Sequence, residues 1–276
     1  MSVRLVATDL DGTLVRRDGT ISARTVAAVR RAREHGVEVV AVTGRPPRWL
    51  TGIAGLDEVV GGGVAVCANG ALVWDVPGAR VLRAHVIEPD AVLAAARILL
   101  AALPGAVVAV ETLQGFRRTP EYVPRYDAQV AAPVAPLAEL LADDPGVVKV
   151  LVRCEGRSSD EVLATAARVL GPLGHPTHSG ARDGLVEISA AGVSKAGTVA
   201  ALARERGIGP DEVAAFGDMP NDLEMLCWAG QGYAMADGHP DVVAAVGGTA
   251  PPCEDDGVAQ VLDRLVGDPP GAVRAR

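Results

Sequence analysis

Apolar and polar positions along the 276-residue chain follow two different rhythms. Residues 3–7, apart from Arg4, are an apolar run with β-branched Val3 and Val6, which predicts a strand buried on both faces. A helical period follows through Val26 and Val29 to about His35, with Ser22 as its N-cap and Gly36 as its stop. Residues 37–42 are a second buried strand. Strand, helix and strand of these lengths make a βαβ unit, so the first two strands are expected to run parallel. Residues 64–68 and 71–74 flank Asn69-Gly70, a favoured two-residue hairpin turn.

The rhythm changes near Arg83. The pattern predicts a helix over 90–103, a strand over 106–112, a polar loop over 114–126, a strand over 147–153 and a helix over 159–170. Asp183-Gly184 marks a turn before an apolar run at 185–188. This stretch, with Pro133 and Pro136 in its loops, reads as a separate α+β module. From Gly192 the α/β alternation returns. A helix runs from Lys195 through Val199 and Leu202 to Gly207. A buried strand at 213–216, a helix carrying Leu223 and Leu226, and a strand at 232–235 follow. Residues 267–276 read as a loose tail. The expectation is an α/β protein with a mainly parallel sheet, built from 1–83 and 186–276 around an inserted module at 84–185.

Composition narrows the class. Hydrophobic residues make up 49% of the chain, enough for a substantial core, with only 3% aromatic. A net charge of −8 argues against a general nucleic-acid surface. Cys67, Cys154, Cys227 and Cys253 form no CxxC pair, which fits a reducing compartment. The N-terminus does not read as a signal peptide, and residues 93–103, interrupted by Arg97, are too short to span a bilayer. The expectation is a cytoplasmic protein with no nucleic-acid or membrane partner. Monomer and homodimer both remain open.

Candidate chemistry starts where the first strand ends. Asp9 and Asp11 stand beside the break made by Gly12, at the carboxyl edge where open α/β sheets bind ligands. Adjacent acids repel, and a hard divalent cation on oxygen ligands would compensate them. An EF-hand loop is excluded, because Thr13 and Leu14 occupy its fifth position and its glycine position. Thr43, Lys195 and the Asp218/Asn221/Asp222 group recur at similar strand-to-loop or loop-to-helix points. Together these residue types suit phosphoryl transfer. A carboxylate can attack phosphorus, a second acid can protonate the leaving oxygen, and a hydroxyl and an ammonium can hold the equatorial oxygens.

Four segments carry a family resemblance: DLDGTL at 9–14, TGR at 43–45, GVSK at 192–195 and GDMPNDLEML at 217–226. They resemble the four motifs of the haloacid dehalogenase-like (HAD) superfamily, and the layout is similar to its Cof-type phosphatases, with Asn69-Gly70-Ala71 as a further match. The resemblance implies a Rossmann-like core with an inserted C2-type α/β cap that sets substrate specificity. It implies Asp9 as nucleophile and Mg²⁺ ligand, and Asp11 as general acid/base whose backbone carbonyl also binds Mg²⁺. Thr43, Gly44, Lys195 and Asn221 are implied to bind phosphate. Asp218 is implied as the third metal ligand, and Asp222 as a support for metal waters or Lys195. Arg45, Asn69, Arg117 and Arg118 are candidate substrate contacts. Ala196-Gly197 departs from the usual glycine directly after the lysine and leaves Lys195 in place.

The implied function is a Mg²⁺-dependent phosphomonoesterase, working through an aspartyl phosphate on a sugar phosphate or a nucleotide-like cofactor phosphate. The alternatives are a phosphosugar mutase of the same superfamily and a phospho-acceptor signalling domain. Receiver domains lack an acid two residues after the nucleophile, whereas this chain has Asp11. His175 and His178, on either side of Pro176-Thr177, read as a loop rather than a metal site.

Overall fold

In a computed structural model of the chain, residues 2–125, 131–180 and 183–266 are described. The expected tail at 267–276, Met1, and Tyr126 at the end of the expected polar loop lie outside them. The chain opens with β1 (Leu5–Thr8), α1 (Ala23–Glu34), β2 (Glu38–Val42), α2 (Leu56–Val60), β3 (Val64–Cys67), β4 (Leu72–Asp75) and β5 (Arg80–Ala84). The Ser22 hydroxyl accepts from the Thr25 N–H at 3.0 Å and opens α1. Gly36, at φ +81°, closes it in a conformation that disfavours a side chain. Thr25, Ala28, Val29 and Ala32 form the helix's buried stripe.

The middle of the chain carries α3 (Pro89–Ala102), β6 (Val107–Thr112), β7 (Gly115–Arg118), α4 (Leu137–Leu140), β8 (Val147–Arg153), α5 (Ser159–Leu170), β9 (His175–Thr177) and β10 (Leu185–Ser189). It closes with α6 (Lys195–Glu205), β11 (Val213–Gly217), α7 (Leu223–Trp228), β12 (Gln231–Met235), α8 (Pro240–Ala245), β13 (Gly248–Ala250) and α9 (Gly257–Val266).

Two compact units result, Met1–Leu82 with Lys195–Arg276, and Arg83–Ser194. The larger unit is built on an eight-stranded sheet in the order β13-β12-β11-β1-β2-β3-β4-β5. Its β1, β2, β3, β11, β12 and β13 are parallel, and β4 runs antiparallel to β3. Its core joins Leu5 and Ala7, Val40 and Val42, Val213 and Ala215 to Val199 and Leu202 of α6 and to Met225 and Leu226 of α7. Fully burying each such valine or leucine contributes about 1.5–3 kcal/mol. The central strands are apolar on both faces because helices cover both.

The smaller unit holds a five-stranded sheet in the order β7-β6-β8-β10-β9, with antiparallel pairing throughout. Val108, Val110, Val150, Val152, Val186 and Ile188 share a core with Val92 and Leu99 of α3 and Val162 of α5. Among the described residues, no helix is long and apolar enough to cross a membrane.

Four expectations change. The second boundary of the insertion lies near 194 rather than 185, because the apolar run at 185–189 pairs with β8 and β9 and belongs to the smaller sheet. The connection between β3 and β4 is four residues long, since Cys67 pairs with Leu72. Asn69 sits inside it in a left-handed conformation, φ 56° and ψ 33°. The expected polar loop contains β7, a short edge strand on β6. His175 lies in β9, and the buried His178 ring meets Asp160 at 2.8 Å.

Candidate active site

The chemistry gathers where β1 and β11 end, on neighbouring parallel strands. Asp9 follows β1 directly, and its N–H donates to the Phe216 carbonyl at 2.9 Å, so β11 holds the Asp9 backbone. Beyond it the chain turns sharply. The Leu10 carbonyl accepts from the N–H groups of Thr13, Leu14 and Val15. Gly12 makes the turn at φ +76°, and a Cβ there would stand 2.5 Å from Asp218 Oδ2. Glycine is required twice over, by the backbone and by the neighbouring carboxylate.

The turn after β11 is organised by Asp222. Its Oδ2 accepts from the N–H groups of Asp218 and Met219, both at 3.1 Å. A Cβ on Gly217 would lie 2.4 Å from the Asp222 Cβ, so the strand ends in glycine to let this carboxylate fold back. Asp218 is thereby fixed beside Asp9, and the Thr13 hydroxyl donates to its Oδ1 at 3.3 Å.

Lys195 opens α6 and is 1% exposed. Its Nζ is 2.6 Å from both Asp9 Oδ1 and Asp222 Oδ1. Burial opposes its charge, but the carboxylates of Asp222 and Asp9 outweigh that effect and hold its pKa above the ordinary lysine range. One ammonium thus contacts two carboxylates, with the third, Asp218, beside them. Oxygens of Asp9, Asp218 and Asp222 all lie within 4.8 Å of one another. Burial pushes Asp9 up to about 8; Lys195 counters the shift, and Asp222 and Asp11 add to it. Burial likewise pushes Asp218 up to about 9, reinforced by Asp9 and Asp222. Two acids with weakened ionisation beside a single ammonium form a site short of positive charge. All its donors are carboxylate oxygens, which suits a hard divalent cation.

The remaining predicted residues divide. Thr43 follows β2, buried, with its N–H on the Val66 carbonyl at 2.8 Å. Its hydroxyl oxygen accepts from the Arg45 N–H at 3.0 Å. Gly44 lies half-buried beside it. Arg45 binds Asp11 through two hydrogen bonds, and its Nη1 donates to the Trp49 carbonyl at 3.2 Å. Asn69 reaches Asn221, whose Nδ2 donates to Asn69 Oδ1 at 3.0 Å. Arg117 donates to the Leu140 carbonyl and to Asp143, and Arg118 to the Tyr122 carbonyl at 3.0 Å. These last bonds are internal to the smaller unit.

Sequence reading missed Asp222 as the bracket of the turn, and Thr13 as a donor to Asp218. The Asp222 signal was present. An acid four residues after Asp218 and three after Met219 has the spacing of the carboxylate half of a capping box.

Comparisons with known proteins find relatives along most of the chain. The model of the haloacid dehalogenase-like hydrolase family matches residues 6–262. The 5-amino-6-(5-phospho-D-ribitylamino)uracil phosphatase YitU of Bacillus subtilis is 29% identical over 262 residues, covering 94% of this chain and 96% of YitU. The pyridoxal phosphate phosphatase YbhA of Escherichia coli is 27% identical over 279 residues, covering 95% of this chain and 98% of YbhA. The solved structure of a haloacid dehalogenase-like hydrolase from B. subtilis superposes with a TM-score of 0.79 at 25% identity, covering 95% of this chain and 100% of that one.

Proposed function

Because the chain belongs to the haloacid dehalogenase-like hydrolase family, we propose that it is a Mg²⁺-dependent phosphatase of small phosphorylated metabolites, working through an aspartyl phosphate on Asp9. The observation that carries this reading is the buried Asp9–Lys195–Asp222 chain beside Asp218. Lys195 occupies Asp9 Oδ1, and the second carboxylate oxygen is the one offered to phosphorus.

Asp9 attacks phosphorus as the ester P–O bond breaks, and the leaving oxygen takes a proton from Asp11. Water then gives a proton to Asp11 and attacks the same phosphorus, and the bond to Asp9 breaks, releasing inorganic phosphate. Lys195 and the Thr43 hydroxyl stabilise charge on the equatorial oxygens, with Gly44 and Asn221 beside them. Mg²⁺ held by Asp9, Asp218 and the Asp11 backbone carbonyl would supply the positive charge that lets an anionic phosphoryl group approach these acids. Asp222 is not a ligand in this reading, because Lys195 and two backbone N–H groups already engage its oxygens.

Substrate choice belongs to the inserted unit. The proposed class is a sugar phosphate or a nucleotide-like cofactor phosphate, in line with what YitU and YbhA are named for. A screen of phosphorylated metabolites for phosphate release, with Mg²⁺ and again with EDTA, tests the reading. Phosphate release that survives complete metal removal would sink the metal assignment, and product analysis with a hexose phosphate separates hydrolysis from a mutase reaction.

A further inference from the structure

The loop between β3 and β4 touches three of the segments that build the site. The Asn69 N–H donates to the Thr43 carbonyl at 3.1 Å, and the Ala68 N–H to the Arg45 carbonyl at 3.0 Å. Thr198, one turn into the helix that Lys195 opens, donates its hydroxyl to the Gly70 carbonyl at 2.7 Å. Asn69 Oδ1 accepts from Asn221 Nδ2 at 3.0 Å, across 152 residues of sequence.

Both amides are buried, Asn69 at 2% and Asn221 at 8% exposure. Asn221 Oδ1 is buried and meets no donor among the described residues. A buried polar atom without a partner is unfavourable unless a ligand or a change of orientation satisfies it. Asn221 stands one residue before Asp222, in the turn that fixes Asp218. A side-chain amide has a donor end and an acceptor end. Asn69 can therefore hold Asn221 whichever way that amide turns, accepting from Nδ2 or donating to Oδ1.

We infer that Asn69 is a positioning residue for phosphate binding, which acts by holding the Asn221 amide at the phosphate site. This rests on the proposal that Asn221 contacts the phosphoryl group. The left-handed backbone at Asn69 fits the role, because asparagine tolerates φ near +56° better than other side chains that could make the bond. Turn chemistry alone would require only the left-handed backbone, which glycine also supplies. The bond to Asn221 requires the amide.

The test is inhibition by inorganic phosphate of the full-length enzyme, measured for Asn69→Gly, Asn221→Ala and the double variant, with the melting temperature of each. Glycine at position 69 keeps the backbone unstrained. A hydrogen bond to a charged group corresponds to roughly 10-fold or more in affinity, so Asn221→Ala should weaken phosphate binding by about that factor. Asn69→Gly should come within about threefold of it, and the double variant should be no weaker than Asn221→Ala, because the two residues act as one unit. KM should rise with phosphate Ki, while kcat changes less. Wild-type phosphate affinity in Asn69→Gly, with a weakened Asn221→Ala, would overturn the inference alone. So would a lowered melting temperature in Asn69→Gly without a change in phosphate affinity, or multiplicative losses in the double variant. Wild-type affinity in Asn221→Ala would overturn the phosphate role of Asn221 and the inference with it.

Discussion

Arg45 grips Asp11 with two hydrogen bonds, Nε to Oδ2 at 2.7 Å and Nη2 to Oδ1 at 2.5 Å. Both oxygens of the proposed general acid are taken, so Asp11 can serve a leaving oxygen only after Arg45 lets go. The pair is partly open to solvent, with side-chain exposures of 25% for Arg45 and 54% for Asp11. Exposed pairs are worth about 0–1 kcal/mol. Arg45→Ala should therefore change kcat/KM on an alkyl phosphate by less than about fivefold, in the direction of an increase. A fall of about a hundredfold or more would make Arg45 a substrate-binding group.

Lys195→Ala removes the only ammonium in hydrogen-bond contact with Asp9 and Asp222 among the described residues. Breaking a buried pair leaves its partners uncompensated, at a cost of about 3–5 kcal/mol. The melting temperature should fall clearly, and kcat should fall by about 10²–10³ through lost transition-state stabilisation. Activity measured well below the variant's melting temperature separates the two effects. A variant with unchanged melting temperature and rate would reduce Lys195 to a helix-start residue.

The raised carboxyls make metal-free stability depend on pH. Burial pushes Asp9 to about 8 and Asp218 to about 9, so the folded state holds protons that the unfolded chain releases near pH 4. Their contribution is fully present below that value and is lost as pH rises through about 8 to 9. The metal-free wild type should lose stability, relative to Asp218→Asn, between about pH 6 and pH 9. Added Mg²⁺ should raise the melting temperature more at the higher pH, where protons no longer compete for the same oxygens. Equal gains at both pH values would contradict this picture.

The two acid-bearing strand ends were legible because local signals mark them. Gly12 and Gly217 break apolar runs directly beside Asp11 and Asp218, and both glycines leave room that a side chain would fill. Lys195 was legible as a helix start. The chain could not show that its charge is shared between Asp9 and Asp222, since those partners are 186 and 27 residues away. Asn69 read as a turn residue, and its backbone is a turn; the bond to Asn221 is long-range and has no local signature. The Leu185–Ser189 run has the same apolar character whether it joins a parallel or an antiparallel sheet. Its place in the smaller sheet depends on pairing with β8 and β9. The four-residue β7, Gly-Phe-Arg-Arg, was too short and polar to read as a strand.

The most direct test of the account is the site of phosphorylation in Asp11→Asn during reaction with p-nitrophenyl phosphate. This leaving group needs little protonation, so attack by Asp9 should proceed while the second step stalls for want of a base. The variant should give a burst of p-nitrophenol followed by slow turnover, and acid-quenched protein should carry phosphate on Asp9. Asp9→Asn should give neither burst nor phosphoenzyme. A burst with phosphate trapped in the Asp9 variant, or steady hydrolysis by that variant at the wild-type rate, would contradict the account.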